Sequence, residues 1–229
     1  MNETLAALFL AHVLADFVLQ TDAMVTAKRR PLTLARHGAI VLVTAAATTA
    51  SLSPWLLALT AAHLMIDTAK TYSKGGFWPF MADQAAHAAT IFAAAALIPT
   101  QWPAPAPAIM ALTAGAILTT RAGGFAIGLL MQPWTDAIAI GLTGAGRTIG
   151  NLERGLIFLL IISGQTQNIG FLIAAKSVLR FGTVSDDRKV SEYVIVGTLA
   201  SVSWAIAAAL LTTILLNHLP TLGIPDLLP

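Results

Sequence analysis

Cysteine is absent from the 229 residues, and charge is scarce, with 11 acidic and 13 basic side chains. The first absence excludes disulfides and thiolate-ligated metals. The second excludes water as the solvent for most of the surface. A soluble domain carries roughly 25% charged residues, and this chain carries 10%. The net charge is only +2, and the few basic loops orient the protein rather than bind nucleic acid. What remains is apolar: 56% of the residues are hydrophobic and the mean hydropathy is +0.76. Lipid offers no hydrogen-bond partners to a backbone, so spanning segments are helices or closed barrels. The long Ala/Leu-rich runs lack the alternation of barrel strands. The expected fold is an all-α, polytopic transmembrane bundle.

Taking about 20 apolar residues per span, the runs read as spans over about 3–20, 37–52, 55–72, 81–98, 108–120, 155–175 and 193–216. The first reads as a retained span, since no basic segment and cleavage site mark it as a removed signal. The stretch 125–142, interrupted by Gln132, Pro133 and Asp136, fits a span, a re-entrant piece or an interfacial helix. The basic loops after the first and third spans, and around Arg180, Arg188 and Lys189, belong on the cytoplasmic side. For the last of these loops to be cytoplasmic, 125–142 would have to cross as well; the bias favours about seven spans with the N-terminus outside. A composition shift near residue 100 divides the chain into a four-helix subregion, 1–100, and a C-terminal subregion, 101–229.

The first subregion carries polar groups inside its apolar runs. His12, Asp16 and Gln20 are spaced by four; so are His63 and Asp67, with Lys70 three further on; so are Asp83 and His87. His37 opens the second span. Residues at i and i+4 share a helix face, and charged groups in hydrocarbon cost several kcal/mol. These stripes should therefore face one another. His and carboxylate donors without cysteine suit Zn²⁺ or Mn²⁺. The candidate ligands are His12, His37, His63, Asp67, Asp83 and His87. Asp16 and Asp67 are candidates for catalysis as carboxylates, and Lys70 and Gln20 as stabilisers of negative charge. The plainer alternative is a buried hydrogen-bonded network that sets helix register.

In the second subregion, Lys176 and Arg180 form an i, i+4 pair suited to a lipid headgroup or other anion, or to simple anchoring at the interface. Glu153-Arg154 reads as an interfacial ion pair. The glycines at 141, 144, 146 and 150 allow close helix approach, or simply break helices.

His12-x3-Asp16-Phe17-x2-Gln20-Thr21-Asp22, His63-x3-Asp67 and Asp83-Gln84-x2-His87 together resemble the DUF3307 family of bacterial membrane proteins of unknown function. Ile149-Gly150-x2-Glu153-Arg154, Lys176-Ser177-x2-Arg180-Phe181 and Glu192-Tyr193-x3-Gly197-Thr198 are similar to segments of its longer members. That resemblance implies a multi-pass protein of the bacterial inner membrane, in contact with lipid; small-residue helix faces leave a homo-oligomer open. A weaker similarity, through His63-Leu64-Met65-Ile66-Asp67, Gly76 and Trp78-Pro79-Phe80, is to YdjM-like membrane proteins, predicted metal-dependent hydrolases. Three functions follow. One is a divalent-metal-dependent hydrolase acting on a lipid-derived or amphipathic substrate. Another is a proton- or ion-coupled transporter using the same His and Asp residues, with helix breaks at Gly123-Gly124 and Gly164. The third is a non-catalytic membrane partner.

Overall fold

The structure, a computed structural model, describes residues 1–137, 144–181 and 188–221, with side chains at 1–135, 144–178 and 188–221. Every regular element among the described residues is helical. In chain order these are α1 (Asn2–Leu14, continued by a π turn, Ala15–Leu19), α2 (Asp22–Thr26), α3 (Pro31–Thr49), α4 (Trp55–Tyr72) and α5 (Phe77–Ala95). Then follow α6 (Ala106–Ile117, with a π turn Leu118–Ala122), α7 (Gly123–Met131, ending in a 3₁₀ turn, Gln132–Ala137), α8 (Ala145–Ile162), α9 (Asn168–Phe181) and α10 (Arg188–Leu216).

Helix α4 is inside-out relative to a helix of a soluble bundle. Helix α4 buries Thr60, His63 and Asp67 with Leu56, while Leu57 and Met65 are 62% and 73% exposed. Val43, Phe92, Leu199 and Leu211 likewise point outward. Only an apolar solvent makes that arrangement favourable, and the chain is a membrane protein. Four helical runs among the described residues are long and apolar enough to cross: Asn2–Leu19, Pro31–Thr49, Ala106–Thr135 and Arg188–Leu216. Helices α4 and α5 have the length, at 18 and 19 residues, but His63, Asp67, Lys70, Asp83, Gln84 and His87 dilute their apolar character. The helices that carry most of the polar residues are thus the ones that hydropathy finds hardest to see.

Several boundaries differ from the sequence reading; among them, the expected span 155–175 is divided between α8 and α9. The stretches 108–120 and 125–135 form one helical run, because Arg121-Ala122-Gly123-Gly124 continues the helix through a π turn. Gly123 is there for proximity: a Cβ would sit 2.7 Å from the Trp204 ring and 3.0 Å from Arg154 Nε. The helix break that a transporter reading drew on at this point is therefore absent. Residues 138–142 lie outside the described residues. The break at Gly164 does occur, with φ +71, and separates α8 from α9. In addition α3 starts at Pro31, a residue whose missing N–H costs nothing in a first turn, so His37 lies in the second turn.

The chain forms two compact units, one built on Met1–Ile117 and the other on Leu118–Thr213. In the first, α1, α3, α4 and α5 enclose an apolar layer of Leu8, Ala11, Ala45, Leu56, Ile91, Ala94 and Ala95. Along α1 and α4 the buried face becomes polar toward the C-terminal end; along α3 and α5 it is polar at the start. The apolar layer and a polar layer therefore stack within one helical bundle. Ala6, Ala108 and Ala111 provide a small-residue contact for α6 against α1.

In the second unit, the carbonyls of a π turn are gripped from the side. Trp204 Nε1 donates to Leu118 O at 3.0 Å, Arg154 Nε to Thr119 O at 3.0 Å, and Arg154 Nη2 to Thr120 O at 3.1 Å. Arg154 also donates to Ser201 Oγ at 3.1 Å and Asn151 Oδ1 at 2.7 Å. Its neighbour Glu153 pairs with Lys176, both carboxylate oxygens lying 2.6–2.7 Å from Nζ. The expected Glu153–Arg154 pair is thus replaced by two separate interactions, because adjacent residues on a helix do not face each other.

Candidate metal centre

Four helices deliver the polar layer. Helix α1 supplies His12 and, from its π turn, Asp16; α3 supplies His37; α4 supplies His63 and Asp67; α5 supplies Asp83 and His87. The i, i+4 pairs expected from the sequence are in place: His12 Nδ1–Asp16 Oδ2 at 3.8 Å, His63 Nε2–Asp67 Oδ2 at 3.7 Å and His87 Nε2–Asp83 Oδ1 at 3.6 Å. The π turn, a device frequent at functional sites, sets Asp16 with one oxygen toward His12 and the other toward α3 and α4.

Asp16, His37, His63 and Asp67 converge on one point. His37 Nε2 and His63 Nε2 are 3.1 Å apart, and each lies 3.3 Å from Asp16 Oδ1. Asp67 Oδ2 is 3.1 Å from His37 Nε2 and 3.7 Å from His63 Nε2. A tetrahedral zinc site with bonds of about 2.0–2.1 Å has donor–donor edges of roughly 3.3–3.4 Å. These five edges scatter about that value. Two further groups of donors, His12/His63/His87 and Asp67/Asp83/His87, also each lie within 4.8 Å of one another.

Hydrogen bonding supports a cation as the missing member. Among the described residues, the buried side-chain atoms without a hydrogen-bond partner are His12 Nδ1, Asp16 Oδ1, Asp67 Oδ2, Asp83 Oδ1 and both ring nitrogens of His87. Every one belongs to this cluster. A plain hydrogen-bonded network exists to satisfy such atoms, each of which costs about 1–3 kcal/mol when unpaired. A divalent cation takes lone pairs from carboxylate and imidazole alike. The donor set therefore fits a metal.

Outer partners orient these donors. Gln84 Nε2 donates to Asp83 Oδ2 at 3.0 Å, so its Oε1 accepts from His12 Nε2 at 3.2 Å, leaving the lone pair of His12 on Nδ1. Gln20 Nε2 lies 3.2 Å from His37 Nδ1; rotation of the amide would present its oxygen to an Nδ1–H and free Nε2 for a cation. Lys28 Nζ is 2.8 Å from Asp67 Oδ1 and Lys70 Nζ is 2.6 Å from Asp83 Oδ2. Gln20, Lys28, Arg29 and Lys70 line a cavity of about 310 Å³. Sequence spacing missed Lys28, which belongs to no helix stripe; only its place in the basic loop after α1 hinted at it. Gln84 was visible as part of a motif but had no role.

The candidate anion-binding residues divide. Lys176 is paired with Glu153 beside a cavity of about 400 Å³ that Arg147, Arg154 and Tyr193 also line. The side chain of Arg180 lies outside the described residues.

Residues 4–110 match the family model of DUF3307, a protein family of unknown function. The match spans the His/Asp cluster, from α1 into α6, and the assignment made on the His12, His63 and Asp83 motifs stands over that stretch. No curated protein and no solved structure matches the chain.

Proposed function

We propose that this DUF3307 chain is a membrane-embedded, divalent-metal-dependent hydrolase of an amphipathic substrate bearing an anionic group, such as a phospholipid. The observation that carries the reading is the convergent four-donor set Asp16 Oδ1, His37 Nε2, His63 Nε2 and Asp67 Oδ2, with five of its edges at 3.1–3.7 Å and all donors within 4.8 Å. The likeness of the His63–Asp67 stretch to YdjM-like predicted hydrolases supports it. A divalent cation held in this cluster would supply Lewis acidity and lower the pKa of a water that joins its shell, as a fifth ligand where four protein donors already bind, toward about 7.

The protein's own groups do the rest. Lys28 and Lys70, set between the carboxylates and the cavity, hold an anionic headgroup and the negative charge that develops during hydrolysis. His12, with Nε2–H committed to Gln84, offers Nδ1 as a proton acceptor. Gln20 positions His37. The acyl or alkyl part of the substrate stays in lipid, which the exposed apolar faces of the helices already contact.

The test is metal content by mass spectrometry on detergent-purified protein reconstituted without chelator, beside His63→Ala, followed by a screen against lipid vesicles. Stoichiometric Zn or Mn, lost in the variant, together with metal-dependent release of a lipid fragment, is expected. Wild-type protein that retains no stoichiometric metal overturns the proposal.

A further inference from the structure

Seven buried or nearly buried donors are more than one cation takes. Asp16, His37, His63 and Asp67 already complete a four-coordinate shell, which leaves His12, Asp83 and His87 outside it at 6%, 6% and 1% exposure. We propose a second divalent-cation position formed by Asp67, Asp83 and His87, with the Asp67 carboxylate bridging the two positions. This rests on the metal reading of the same cluster.

The two oxygens of Asp67 face different partners. Oδ2 looks toward His37 and His63, at 3.1 and 3.7 Å, while Oδ1 is 3.9 Å from His87 Nε2. Asp83 completes the second set. Its Oδ2 is occupied by Lys70 and Gln84, so Oδ1 is the oxygen left for a cation, and it lies 3.6 Å from His87 Nε2. The 3.6 and 3.9 Å separations exceed the roughly 3.4 Å edge of a tetrahedral shell with bonds near 2.1 Å, but the three donors lie within 4.8 Å of one another, so a small inward shift would bring them to one cation.

An independent observation points to a ligand at this position. His87 is almost fully buried, and neither of its ring nitrogens has a hydrogen-bond partner; Asp83 Oδ1 has none either. Lys28 sits 2.8 Å from Asp67 Oδ1 beside a cavity, so a cation taking that oxygen would displace the ammonium toward the cavity.

The two positions differ in kind. The first has four protein donors, the closed shell of structural zinc sites; the second has three, the open shell of catalytic ones. The open coordination place therefore belongs to the Asp67/Asp83/His87 position. The closed position fixes Asp67 and adds positive charge beside it, as paired cations do in other hydrolytic centres.

The experiment is metal stoichiometry of the full chain in detergent after equilibration with Mn²⁺ or Zn²⁺, for wild type and Asp83→Asn. Electron paramagnetic resonance of the manganese form is read in parallel. Two ions per wild-type chain, one in Asp83→Asn, and an exchange-coupled signal that reverts to that of an isolated ion in the variant are expected. His87→Gln replaces Asp83→Asn if that variant does not elute as a folded protein. One isolated ion in both proteins overturns the second position and leaves the single-metal reading intact. Two ions in both, or no coupling in wild type, also overturns it. No bound metal in wild type removes the functional reading itself.

Discussion

Replacing Lys28 with methionine separates a metal centre from a salt-bridged network, because the two give opposite signs. The ammonium is 2.8 Å from Asp67 Oδ1, and the side chain is 12% exposed. A cation bound through the other oxygen, about 2.1 Å from it, would lie roughly 5 Å from Nζ. At an effective dielectric of about 20, a dication and a unit positive charge at that separation repel by about 7 kcal/mol. The side chain opens onto the cavity and can turn into water once a metal is bound, so about a third of this is a reasonable share. That is about 2 kcal/mol, or roughly 30-fold tighter metal binding in Lys28→Met. Without metal the same substitution strips Asp67 of its closest ionic partner and destabilises the protein by about 3–5 kcal/mol. The expected outcome is a variant that melts lower than wild type in chelator, gains more from zinc, and binds zinc more tightly in a competition titration. Zinc binding that weakens, or melting that is indifferent to zinc in both proteins, would refute the reasoning.

Gln20→Leu should weaken metal binding by about 10–100-fold through loss of His37 orientation, and Gln20→Glu should recover most of it; equal affinities in all three proteins would show that the 3.2 Å contact is incidental. Acidification should release metal with uptake of more than one proton per site, because His37 and His63 must be neutral to bind; metal retention measured across a pH series checks it, and retention independent of pH would count against imidazole ligands. Gly123→Ala places a Cβ 2.7 Å from the Trp204 ring and should cost about 1–3 kcal/mol, read as a lower melting temperature with metal stoichiometry unchanged; an unaltered melt would mean that the ring shifts freely.

Composition alone determined the solvent. Charge content and apolar runs are sums over the chain, and a helix in lipid is required by its own backbone, so the all-helical membrane fold follows without tertiary knowledge. The His-Asp pairs at spacing four were legible for the same kind of reason: residues at i and i+4 share a face whatever surrounds the helix. Span counting was less secure, because His63, Asp67, Asp83 and His87 lower the hydropathy of the helices they occupy. The glycines at 123 and 124, which resemble a break, serve close packing.

Tertiary structure decided which donors meet. Nothing local to Asp16 says that its Oδ1 faces His37 and His63 while Oδ2 faces His12; that depends on the π turn and on how α1 lies against α3 and α4. Lys28 reaches Asp67 from 39 positions away in the chain, and Gln84 selects the tautomer of His12 across a helix interface. Spacing records direction along one helix. Distances between helices come only from packing, and those distances distinguish a four-donor site from a row of buried polar residues.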